Sequence, residues 1–154
     1  MIPYLTPLDV AQLRGAGIPA PWTFGVADRV RFAEIDALNH VNNVVYLRWY
    51  ETLRVQYLEH FDLYTLAGPN PKIVVKTLGL DYKAEVARGA SYINVARTTQ
   101  MRTTSFTQEY ATYVDGHLTT TGHCVVVLLN QDNTKRPLPD ALRDLFLRDG
   151  CVQV

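Results

Sequence analysis

The sequence predicts an α+β domain in which one long helix lies against one antiparallel sheet. Two observations carry this. Residues 42–61 repeat apolar side chains at helical spacing, and four strand-like segments follow them without another helix of comparable length. A single strand-like segment precedes the helix, so the order is strand, long helix, then a run of strands joined by short turns.

Taken in order, residues 7–15 (PLDVAQLRG, after Thr6) read as a short helix with a Thr/Pro start, apolar Leu8, Val10 and Leu13, and a glycine stop. A breaker-rich connection from Gly17 to Pro21 follows. Residues 23–33 alternate as a strand with Phe24, Val26, Val30 and Phe32 on its apolar side. In the long helix Tyr46, Trp49, Leu53, Tyr57 and Phe61 recur at three and four, opposite Arg48, Glu51, Thr52, Gln56 and Glu59. Val44, Val45, Leu47, Tyr50, Val55 and Leu58 widen the apolar face, so the helix is expected to be covered on several sides by a curved sheet. After Gly68, Pro69 and Pro71, residues 72–83, 91–102, 105–114 and 117–129 are rich in Val, Ile, Thr, Tyr and Phe. Thr103-Thr104 is expected as one tight link, and Asp115-Gly116 is a strong hairpin signal. Residues 130–139 read as loop and 140–147 as a short terminal helix. The expected organisation is an N-terminal extension over residues 1–22 with a short helix, followed by a single domain over residues 23–154.

The 154 residues suffice for one independent core, and 47% hydrophobic with 19% charged residues is a globular composition. Fifteen basic side chains balance fifteen acidic ones, which argues against nucleic acid as a partner. The N-terminus lacks a basic region followed by an apolar run, and no apolar stretch reaches the roughly 20 residues of a membrane span. No membrane partner and a cytoplasmic location are therefore expected. Cys124 and Cys151 stand far apart with no zinc-like spacing, and His40, His60, His117 and His123 are scattered, so no metal is expected.

Chemistry concentrates between the first strand and the long helix, where Glu34, Asp36, Asn39, His40, Asn42 and Asn43 crowd one loop. The loop feeds a helix N-terminus, whose free N–H groups and partial positive charge of about half a unit favour an anion. An oxyanion developing on a carbonyl is such an anion, and a nearby carboxylate can attack the carbon or activate water. The same residues also have plain structural uses. Asn42 or Asn43 can cap the helix, Asp36 can close a turn, and His40 can be a satisfied structural histidine.

The segment VRFAEIDALNHVNNVVYLRWYETLR resembles the signature of the hotdog-fold thioesterases, in the 4-hydroxybenzoyl-CoA thioesterase and acyl-CoA thioester hydrolase branch. The shared features are Arg31-Phe32, Asp36, His40-Val41-Asn42-Asn43 and the aromatic run from Tyr46 to Glu51; HVNN is also similar to a segment of plant acyl-ACP thioesterases. The likeness extends through the strands to RPLP at Arg136–Pro139. It implies a hotdog fold, a long central helix wrapped by a curved antiparallel β-sheet. It also implies hydrolysis of acyl-CoA-type thioesters to free acid and thiol. Asp36 would be nucleophile or general base, and the backbone N–H at Asn43 would polarise the thioester carbonyl. His40 would orient water or substrate, and Asn42 would add a side-chain hydrogen bond. The plant motif has an asparagine two residues after its aspartate where this chain has Leu38, so Asp36 is the firmer assignment. A related branch places its carboxylate on the helix, where Glu51 is the counterpart.

The substrate implied is an acyl-CoA or acyl-carrier thioester, with CoA entering as part of the substrate and no separate cofactor. A homodimer or homotetramer is implied, with active sites formed across the dimer interface. Among the basic residues that could meet CoA phosphates (Lys83, Arg88, Arg97, Arg102, Lys135, Arg136), Arg88 and Arg136 are singled out because both fall in expected loops. Two other functions share the fold: a hotdog enoyl-CoA hydratase or dehydratase, and a non-catalytic acyl-CoA-binding protein. The hydratase motif DxNPxH differs here, because Asp36 and His40 are one residue closer and no proline lies between them.

Overall fold

The computed structural model describes all 154 residues. The elements are β1 (Pro7–Leu8), α1 (Val10–Gly15), β2 (Phe24–Arg29), α2 (Val45–His60), α3 (Leu63–Leu66), β3 (Lys72–Tyr82), β4 (Ser91–Met101), β5 (Ser105–Val114), β6 (His117–Leu129), α4 (Asp140–Arg148) and β7 (Val152–Gln153). The strands form one sheet in the order β1-β2-β4-β5-β6-β3, with β7 joining β4. β2 runs antiparallel to the first half of β4, from Phe24 opposite Ala96 to Arg29 opposite Ser91. β7 pairs in parallel with Gln100 and Met101 of the same strand. The turn at Asp115-Gly116 has φ of 49° and 75°, the double left-handed conformation that a two-residue hairpin of matching twist requires.

Residues group into two compact units. The first comprises Met1–Tyr57, Leu80–Ala96 and Tyr110–Thr121. Its centre is α2, which buries Val45, Tyr46, Trp49, Tyr50, Leu53 and Tyr57. Burying each large apolar side chain contributes roughly 1.5–3 kcal/mol, which holds the helix far more firmly than its intrinsic propensity. Tyr50 stacks on Tyr110 of β5 at 4.9 Å, and Tyr57 meets Phe24 of β2 edge-on at 5.4 Å. The Tyr50 hydroxyl pairs with Thr112 Oγ1 at 2.9 Å, and that threonine donates to Asn94 Oδ1 at 2.7 Å, so three buried polar side chains satisfy one another. A second cluster in this unit joins Leu8, Leu13, Ile18 and Trp22 to Ala27, Val95, Ala111 and Tyr113 of the strands.

The second unit comprises Leu58–Gly79, Arg97–Glu109 and Gly122–Val154. Here α4 buries Leu142 and Phe146, and Phe146 meets Phe106 with ring centres 4.9 Å apart. Leu138 N–H donates to Thr103 O, and Val154 N–H to Met101 O, tying the C-terminal segment to β4 and its turn.

Three local expectations change. The short helix begins at Val10, because Asp9 caps it reciprocally with Gln12, while Pro7 and Leu8 pair with β2. The strand expected through residue 33 ends at Arg29. Arg31 N–H donates to the Glu34 carboxylate at 2.7 Å, turning Phe32–Glu34 into a 3₁₀ turn and leaving Phe32 exposed. The long helix begins at Val45, after an Asx turn in which Asn42 Oδ1 accepts Val44 N–H.

Candidate active site

Asp36 sits at the start of a tight hairpin whose arms are bridged between Ile35 and Val41. Asp36 N–H donates to His40 O and Asn39 N–H to Asp36 O, both at 3.0 Å, and Asn39 takes the left-handed φ of 64° that closes the turn. The Asp36 carboxylate is fixed through Oδ1, which accepts Leu38 N–H at 2.9 Å. Its Oδ2 carries no hydrogen bond within the chain.

The far arm leads into α2. Asn42 N–H donates to Glu34 O at 2.9 Å, and Asn42 O accepts from Val45 N–H at 2.9 Å. Asn42 Oδ1 accepts Val44 N–H at 3.1 Å, an Asx turn that leads the chain into the helix. Asn43 is exposed, and its backbone N–H is donated to no acceptor in the chain. Its carbonyl accepts the Tyr82 hydroxyl at 2.7 Å, which pins the peptide just before the helix.

Asp36, His40, Asn43, Tyr46, Tyr82, Lys83 and Glu85 line one open cleft of about 500 Å³, together with Leu38, Val41 and Ala84. His40 Nε2 lies 3.1 Å from Glu85 Oε2, and the chain at His40 bridges to Ala87. Burial raises the Tyr46 phenol above its ordinary range, as it does for Tyr82, so both stand in the cleft as neutral hydroxyls.

Asp36, His40 and Asn43 are thus brought to one cleft, and Asn42 supports it through the turn that precedes the helix. Glu51 lies on the exposed side of α2, outside the cleft that holds Asp36. Arg88 is exposed, with its guanidinium 4.9 Å over the Phe32 ring. Arg136 is committed to structure: it donates to Asn130 Oδ1 at 2.7 Å and Ala67 O at 3.1 Å.

Sequence reasoning missed Tyr82, which stood inside an expected strand, and Glu85 beyond its end. No spacing rule connects either to residues about 40 positions earlier; only their placement beside the loop reveals them. It named Arg102 and Lys135 among the possible phosphate contacts but missed Lys76 and the grouping: in the second unit these three line a groove of about 490 Å³ with hydroxyl-bearing Thr104, Ser105 and Thr107. No carboxylate lines that groove, and none of its three cations is in a salt bridge.

A hairpin bearing a carboxylate and feeding the N-terminus of one dominant helix, set against an antiparallel sheet, defines a hotdog-fold protein. Residues 30–146 match the sequence model of the thioesterase-like superfamily, and the chain belongs to that family. It is 43% identical to a thioesterase-superfamily protein from Jannaschia sp. CCS1, over 100% of both chains, with a TM-score of 0.92. It is similar to a thioesterase from Thermus thermophilus crystallised with coenzyme A and Zn, at 28% identity over 82% of this chain and 93% of that one, TM-score 0.71. The fold is shared with Slr0204, a 1,4-dihydroxy-2-naphthoyl-CoA thioesterase from Synechocystis, at 15% identity over 80% and 95% of the chains, TM-score 0.69. No curated protein matches the chain in sequence.

Proposed function

We propose that this protein hydrolyses acyl-CoA-type thioesters to a free acid and CoA thiol, within the 4-hydroxybenzoyl-CoA thioesterase and acyl-CoA thioester hydrolase branch. One observation carries the reading. A carboxylate held by one oxygen, Asp36, and an undonated backbone N–H at a helix entry, that of Asn43, line the same cleft. Thioester hydrolysis needs that pair of groups.

The thioester carbonyl oxygen accepts from Asn43 N–H, and the positive end of α2 lowers the energy of the developing oxyanion. Asp36 Oδ2 then attacks the carbonyl carbon, expelling CoA thiolate and leaving a mixed anhydride that water opens. Alternatively it takes a proton from a water that attacks the carbon directly. Both routes yield the carboxylic acid and CoA thiol and regenerate the Asp36 carboxylate. His40, set against Glu85, orients water or substrate, and Asn42 holds the helix entry. For the CoA phosphates Arg88, exposed over the Phe32 ring, is the stronger candidate, because Arg136 already commits two donors to Asn130 and Ala67.

One feature supports a homodimer or homotetramer. β3 is the terminal strand of the sheet order and exposes Val74, Val75, Leu78 and Tyr82, an apolar edge that an isolated chain would leave uncovered. No helix is long and apolar enough to cross a membrane, and the cytoplasm, where acyl-CoA pools lie, is the compartment we assign. No nucleic acid and no additional cofactor enter the proposal.

The test is a panel of short, long and aromatic acyl-CoAs and one enoyl-CoA, with free thiol and enoyl absorbance followed separately. Thiol release from saturated acyl-CoAs is expected. Enoyl consumption without thiol release would assign a hydratase, and binding without turnover on every substrate would assign a non-catalytic acyl-CoA-binding protein. Sedimentation of the purified chain at micromolar concentration is expected to give a dimer or tetramer; a monomer removes that part of the proposal.

A further inference from the structure

Glu34 is a buried carboxylate with three connections. Its Oε2 accepts Arg31 N–H at 2.7 Å, and its Oε1 accepts the Trp49 indole N–H at 2.9 Å. Its backbone carbonyl takes Asn42 N–H at 2.9 Å. Through the backbone, Glu34 closes the base of the hairpin that carries Asp36. Through the side chain, it fastens that base to the second turn of α2.

Trp49 passes the link onward. It stacks on Tyr92 with centroids 4.0 Å apart and meets Tyr46 edge-on at 5.0 Å. Tyr46 meets Tyr82 at 5.3 Å, and Tyr82 donates to Asn43 O. A closed ring of contacts therefore runs from the hairpin base through the helix and back to the carbonyl of Asn43, the residue that also carries the undonated N–H. Arg31 adds a guanidinium 3.6 Å from Glu34 and 2.9 Å from Asp28, which keeps the buried charge paired.

We infer that Glu34 is a positioning residue: its carboxylate clamp on Trp49 sets the separation between the Asp36 carboxylate and the Asn43 N–H. This rests on the proposed thioester hydrolysis for its kinetic consequence, but not for its structural one. A bond from an indole to an ionised carboxylate is about twice as strong as a neutral one. Displacing a reacting group by about 1 Å costs on the order of a hundredfold in rate.

Two variants test the clamp. Glu34→Gln keeps an acceptor for Trp49 but sets an amide donor against Arg31 N–H, and Trp49→Phe removes the indole donor while keeping an aromatic ring. Amide hydrogen exchange, which needs no substrate, is expected to accelerate at Leu38, Asn39, Val41 and Asn42 in each variant. Exchange in β4 and β5 should stay at the wild-type rate. In turnover, kcat is expected to fall about 10- to 100-fold with KM within twofold, and the double variant should lose no more than the worse single one. Unchanged loop exchange overturns the inference, as does exchange raised uniformly through the sheet or kinetic losses that multiply in the double variant. If wild-type protein releases no thiol while loop exchange still responds to both variants, the clamp stands and the thioesterase reading fails.

Discussion

Replacing Asp36 separates its chemistry from its turn. Its Oδ1 accepts Leu38 N–H at 2.9 Å, and the amide oxygen of Asn can make the same bond. Asp36→Asn is therefore expected to leave stability within about 0.5 kcal/mol, as for surface changes that spare the local geometry. Asp36→Ala removes the acceptor and should cost about 0.5–1.5 kcal/mol, the net worth of one hydrogen bond. Both remove the anionic oxygen, and loss of a general base lowers the rate by roughly 10²- to 10⁴-fold, or about 3–5 kcal/mol of barrier. Urea unfolding followed by tryptophan fluorescence gives the stabilities. Thiol release under saturating acyl-CoA gives kcat, and equilibrium binding of a non-hydrolysable thioether analogue shows whether the site persists. The expected pattern is a stability order of wild type, Asn, then Ala, with both variants equally inactive and still binding. An Asn variant that turns over within tenfold of wild type refutes the catalytic assignment, and one that fails to fold makes Asp36 a structural residue.

The other predictions follow the same logic. Tyr50→Phe deletes a hydroxyl paired with buried Thr112 and should cost about 1–3 kcal/mol in urea unfolding. Burial pushes the Tyr50 and Tyr92 phenols far above their ordinary range, and Tyr92 is further opposed by Asp28 and Glu34. Absorbance titration of the phenolate band should therefore leave both un-ionised until the protein unfolds. Burial, with a smaller push from Asp149 against Arg143, raises the Cys151 thiol to about 11 from its ordinary 9. Native protein should accordingly resist alkylation there in mildly alkaline buffer. Between those two values the unfolded chain releases a proton that the folded chain keeps, so stability should fall as pH rises through that window.

The sequence by itself determined the order of the main elements, though not the short β1, α3 and β7, together with the position of the long helix and the two turns after β4 and β5. Each rests on a local signal: side chains at helical spacing, β-branched runs, and Asp115-Gly116 with the φ values that turn demands. It also singled out Asp36, His40, Asn42 and Asn43, because loop polarity, a helix entry and a family resemblance all fall on one stretch. Tertiary structure decided what lies beside that stretch. Glu85 reaches His40, Tyr82 reaches Asn43 and Glu34 reaches Trp49 through chain reversals whose register no local pattern encodes. Phe32 and Arg136 show the same limit from the other side. One left the expected strand because Glu34 captured the Arg31 N–H, and the other was engaged by Asn130 and Ala67. Spacing along a chain reports which way a side chain can face, whereas its partner depends on which distant segment folding brings alongside.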